Sequence, residues 1–125
     1  MKTINLENAK RLRELGVTKE SDFFWELNKV NKYFKGRCVY GDPTDDNEWA
    51  IAIPAYTADE IGDMLPQSVD CLGYIMLEMD NGTWDCGYAK RGEFTLYESA
   101  DTIADAMALM LIYLIENNHV KAGEL

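Results

Sequence analysis

Residues 38–89 contain no lysine and no arginine, yet hold eleven carboxylates: Asp42, Asp45, Asp46, Glu48, Asp59, Glu60, Asp63, Asp70, Glu78, Asp80 and Asp85. A solvated face usually mixes both signs, so this gap argues for a surface of one sign. The chain has a single histidine, His119, and three cysteines, Cys38, Cys71 and Cys86, with no C-x-x-C pair. An odd cysteine count without close pairs excludes a disulfide framework and fits free thiols in a reducing compartment. The longest apolar run, Ala106 to Ile115, is about half of the ~20 residues a membrane span needs. Residues 1–15 mix Glu7, Lys10, Arg11, Arg13 and Glu14 into apolar positions, so no signal peptide is expected. The expected location is the cytoplasm.

The missing motifs argue against chemistry class by class, although spacing alone does not choose or dismiss an acid–base pair among so many carboxylates. No Gly-x-Ser-x-Gly is present, and Asp85 beside Cys86 raises rather than lowers the pKa of that thiol. No glycine cluster precedes a helix with a lysine, so no phosphate-binding loop is expected. Cys38, Cys71, Cys86 and His119 form a formal Cys₃His set. They lack any pair two to four residues apart, so no metal or other cofactor is expected. Asp42, Asp45, Asp46 and Glu48 lack the sixth-position glycine and closing glutamate of a calcium loop. An enzyme is not expected.

What is present is a polarised charge. Residues 1–40 carry 9 basic and 5 acidic side chains, and residues 41–125 carry 3 and 17, so +4 and −14 sum to the net −10. Lys29, Lys32, Lys35 and Arg37, interleaved with Tyr33 and Phe34, make one basic-aromatic patch. The remaining charge repels phosphates within the ~8–10 Å Debye length, which disfavours direct nucleic-acid binding and anionic membranes.

The pattern predicts a single α+β domain over residues 1–125: an antiparallel sheet of about four or five strands packed by three helices. Asn5–Leu15 reads as a helix with its apolar stripe on Leu6, Ala9, Leu12 and Leu15, stopped by Gly16. Residues 22–34 fit a strand, by the alternation of Phe23, Trp25 and Leu27, or a helix on Phe23, Leu27, Val30 and Phe34. Aromatic content favours a strand at Asp22–Leu27. Residues 42–47 are turn chemistry, and Trp49–Ile53 follows as a strand. Thr57-Ala58-Asp59-Glu60 is a capping box opening a short helix that Pro66 ends. Asn81-Gly82 predicts a type I′ turn between strands Tyr74–Met79 and Thr83–Tyr88, with Phe94–Glu98 as a further strand. Thr102 or Asp101 caps a helix to Asn117 that is apolar nearly all round, so it must be covered within the chain or by a second copy.

Three blocks carry a resemblance: residues 9–17 with Phe23-Phe24-Trp25, residues 55–66, and residues 100–106 running into 110–117. Together they resemble a family of small uncharacterised bacteriophage and prophage proteins, over about a third of the chain. The resemblance implies a phage-derived protein working in a bacterial host cell. It implies no activity and no site residues.

The expected function is therefore binding. An acidic face of Asp42, Asp45, Asp46, Glu48, Asp59, Glu60 and Asp63 would dock on a basic surface of a host protein, with carboxylates standing in for nucleic-acid phosphates. Two alternatives stand beside it. One is a small-ligand binder with a pocket of Tyr56, Trp84, Tyr88 and Tyr97, residues that ordinary core packing also explains. The other is a homo-oligomer, such as a homodimer, assembled through the Thr102–Asn117 helix.

Overall fold

The computed structural model describes residues 2–28, 37–40 and 50–125. Their element order is α1 (Leu6–Glu14), β1 (Phe23–Asn28), β2 (Arg37–Tyr40), β3 (Ala50–Pro54), α2 (Ala58–Met64), β4 (Ser68–Val69), β5 (Gly73–Asp80), β6 (Thr83–Lys90), β7 (Glu93–Ala100) and α3 (Ile103–Glu116). A short 3₁₀ turn, Ala122–Glu124, follows. The α+β class and the three helices are those the pattern implies. The strands, however, divide into two antiparallel sheets, β2-β1-β3 and β4-β5-β6-β7, where one was expected. Pro54 ends β3, and the Thr57 cap turns the chain into α2 before β4 begins.

Local chemistry accounts for most boundaries. The Asn5 side chain accepts from the Asn8 amide at 2.8 Å and opens α1. Gly16, at φ +98°, closes it: its amide donates to the Arg13 carbonyl and that of Val17 to the Leu12 carbonyl. Val17 is buried there. Of the two readings of residues 22–34, the strand holds over Phe23–Asn28, which lies between β2 and β3. At α2 the capping box is complete: Glu60 N–H donates to Thr57 Oγ1 at 3.2 Å, and Thr57 N–H to Glu60 Oε1 at 2.8 Å.

The apolar α3 finds its cover inside the chain. It packs on β6 and β7 on one side and against α1 and α2 on others, and none of residues 103–115 is exposed. Met110, Leu111 and Leu114 are fully buried, each contributing about 1.5–3 kcal/mol. The helix's composition therefore gives no reason for a dimer. No helix among the described residues is long and apolar enough to cross a membrane.

The start of α3 departs from a reciprocal capping box. Thr102 Oγ1 accepts from the Asp105 amide at 3.2 Å, while Asp105 Oδ2 accepts from the Thr102 hydroxyl at 3.0 Å. Asp105 Oδ1 reaches across to α1, accepting from Asn5 N–H at 2.7 Å and Asn8 Nδ2 at 2.9 Å. At the other end Arg11 donates to Glu116 at 2.7 Å. These two ties hold α1 and α3 side by side in the same direction.

Candidate functional site

Strand register decides which side chains share a face, because directly opposed residues in an antiparallel pair lie on one side of the sheet. Cys86 and Tyr88 are fully buried on β6, the strand against which α3 packs, so their rows form the core face. Those rows are Ile75–Tyr88–Leu96, Leu77–Cys86–Glu98 and Met79–Trp84–Ala100. The opposite, outer face reads Tyr74–Ala89–Phe94, then Met76–Gly87–Tyr97, then Glu78–Asp85–Ser99, then Asp80–Thr83. Two apolar rows thus give way to two acidic ones.

The aromatic half depends on a feature that alternation alone does not show. Phe94 and Tyr97 are three residues apart and belong on opposite faces of a regular strand. The register shifts between Tyr88 and Ala89, and this bulge turns both rings outward, with centroids 5.1 Å apart. Beneath them Gly87 has no room for a side chain: a Cβ would lie 2.0 Å from the Leu96 carbonyl oxygen. Tyr74 is 73% exposed and Tyr97 52% exposed, large values for aromatic rings in a sheet. Among the described residues, no helix packs on this face.

The acidic half is held open by like charges. The two-residue turn makes Asp80 and Thr83 a hydrogen-bonded pair, so Glu78 and Asp85 form the next such pair, about 5.5 Å apart at Cα. Ser99 Oγ donates to Asp85 Oδ1 at 2.5 Å and offsets part of the repulsion. The ion pairs among the described residues are Arg11–Glu14, Arg11–Glu116 and Arg37–Glu26, none of which touches these carboxylates.

The expected acidic face divides. Asp42, Asp45, Asp46 and Glu48 lie outside the described residues, as do Lys29, Lys32, Tyr33, Phe34 and Lys35. Asp59 and Asp63 are exposed on α2, in the helical layer, with α3 between that layer and the sheet. Glu60 is a correction: its carboxylate is taken up internally, accepting from Ser21 Oγ at 2.8 Å, Thr57 N–H at 2.8 Å and Asp22 N–H at 3.2 Å. An acid at the third position of a capped helix satisfies local amides before it can face a partner. The residues the expected face left out are Glu78, Asp80 and Asp85, together with Tyr74, Met76 and Phe94, while Tyr97 was expected in a pocket instead. The signal that could have found them is the Asn81-Gly82 turn, which sets the β5–β6 register.

The aromatic pocket does not form. Tyr56 and Tyr88 are buried in the core, their hydroxyls donating to the carbonyls of Lys19 and Pro66. Burial and the Glu60 charge push Tyr56 up to about 12, and burial raises Tyr88 as well. Trp84 lies on the core face and Tyr97 on the outer face. The formal Cys₃His set is likewise dispersed. Cys86 is buried, its thiol pushed up to about 12 by desolvation, and Cys38 is exposed on β2. Cys71 and His119 line one open depression of about 410 Å³ with Asp70, Ser68 and Asn118. Among the described residues, no three metal-ligating side chains come together.

No protein-family model matches this chain, and neither a curated protein nor a solved structure shows significant similarity to it. The site's own geometry is what bears on function.

Proposed function

We propose that this protein acts by binding, and that the outer face of the β5–β6–β7 sheet docks on a cationic surface of a partner protein. The observation that carries this reading is the passage, on a face that no helix covers among the described residues, from exposed rings at Tyr74 and Tyr97 to carboxylates at Glu78, Asp80 and Asp85 that form no ion pair among the described residues. Aromatic side chains contribute area and rigidity at an interface, and the adjoining acids steer a basic partner and set its orientation. Repulsion between Glu78 and Asp85 is a cost in the free protein that a bridging lysine or arginine would relieve.

The sequence blocks that resemble phage and prophage proteins favour a host protein as that partner, one whose basic surface ordinarily meets nucleic acid. The decisive experiment is affinity capture from bacterial lysate at low and high salt with two variants. Charge reversal by Glu78→Lys with Asp80→Lys should remove the captured protein and flatten its salt dependence. Tyr74→Ser with Tyr97→Ser should weaken capture at every salt concentration. A partner retained by both variants would refute docking through this face.

A further inference from the structure

The free edge of β5 gives the docking surface a mode of recognition. β4 is only two residues long and pairs with Gly73 and Tyr74, and beyond Ile75 the strand has no neighbour on that side among the described residues. Ile75 N–H donates to the Gln67 carbonyl at 2.9 Å, which shows which residues point to that edge. In an antiparallel strand the N–H and C=O of one residue point to the same side, alternating along the chain. Leu77 and Met79 therefore direct their amides and carbonyls outward at the open edge, while Met76, Glu78 and Asp80 bond to β6.

The side chains along this edge alternate with the same period. Leu77 and Met79, 40% and 57% exposed, lie on the core-side face beyond the cover of α3, and Glu78 and Asp80 lie on the outer face. Native sheets guard an open edge with charged side chains, proline or a bulge. Met76–Asp80 has no proline and no bulge, and its only guards are Glu78 and Asp80, whose charge a cationic strand would neutralise.

We infer that an extended segment of the partner adds to this edge as a further strand, collinear with β4, and that the segment alternates apolar residues with lysine or arginine. Its apolar side chains would cover Leu77 and Met79. Its cations would stand beside Glu78 and Asp80, the only charges on this part of the strand. Main-chain hydrogen bonds to Leu77 and Met79 would supply affinity, and the alternation would set register and face. The inference rests on the docking reading above and adds to it the partner's backbone conformation and pattern.

The test uses a peptide alternating valine and lysine, a scrambled peptide of the same composition, and amide hydrogen exchange on the full chain. Free protein should show fast exchange at Leu77 and Met79 and slow exchange at Met76 and Glu78. The alternating peptide should slow Leu77 and Met79 at least about tenfold, and the scrambled one should not. Leu77→Pro removes an outward N–H that the ladder does not use, and should weaken the alternating peptide about tenfold or more. Leu77→Thr keeps the N–H and serves as the second variant, with a smaller loss expected. If both peptides bind equally and neither protects Leu77 and Met79, strand addition is overturned and docking through charge survives. If neither peptide binds at low salt, both are overturned.

Discussion

Reversing one charge on the outer face should make the protein more stable and less able to bind. Glu78 and Asp85 are directly opposed across β5 and β6, and the nearest donor, Ser99 Oγ, serves Asp85 alone. An exposed and a half-buried carboxylate at this separation repel by about 0.5–1 kcal/mol in a largely aqueous dielectric. Glu78→Lys removes that repulsion and installs a cross-strand attraction of similar size, so the net gain is about 1 kcal/mol. For a chain of this length the melting temperature should rise by about 3–6 °C. Glu78→Gln, which only removes the repulsion, should give about half. Thermal unfolding at low and high salt is the assay, since salt should erase most of both gains. In an Asp85→Asn background the gain from Glu78→Lys should shrink, because the pairwise part of the cycle is gone. A gain that persists unchanged in that background, or no gain at all, would refute the register on which the face is built.

The remaining predictions concern the frame. Asp105→Ala orphans three donors at the α1–α3 junction and should cost about 2–3 kcal/mol in urea unfolding, with peptide binding intact. Arg91 holds φ +56° beside Gly92 in the β6–β7 turn, so Arg91→Asn or Arg91→Gly should stabilise by about 0.5–1 kcal/mol. In the native state Cys38 and Cys71 should react with a thiol reagent, while Cys86 should react only on unfolding. Cys86, ordinarily near 9.0, is raised to about 12 in the fold, and Tyr56 from 10.0 to about 12. Above pH 9 the unfolded chain therefore releases protons that the folded chain retains, and stability measured by denaturant titration should fall steadily towards pH 12.

What was legible in the sequence was local. Gly16, Thr57 with Glu60, and Asn81-Gly82 each act within a few residues, and each does in the structure what its chemistry requires; that Asn5 caps α1 rather than beginning it shows only in the structure. The strand expected at Asp22–Leu27 competes with a helix, because Phe23 and Leu27 also satisfy helical spacing; pairing with β2 and β3 decides it, over Phe23–Asn28. The division into two sheets was not legible, since partner choice depends on contacts far apart in sequence. The bulge that brings Phe94 and Tyr97 to one face is equally hidden, and Arg91-Gly92 carries little turn signal because arginine seldom takes the positive φ it has here.

The acidic site was legible as a composition and not as a surface. Counting carboxylates singled out residues 38–89 correctly as a region without cations, but it ranked Glu60 with Asp59 although the cap consumes it. Only the β5–β6 register separates Glu78, Asp80 and Asp85 from the acids of the helical layer.

The most direct measurement is a chemical-shift map of the isotope-labelled chain titrated with the partner captured from lysate. The account predicts perturbations concentrated at Tyr74, Met76, Glu78, Asp80, Asp85, Phe94 and Tyr97, and fading as salt is added. Perturbations centred on Asp59 and Asp63, with the outer sheet face silent, would contradict it.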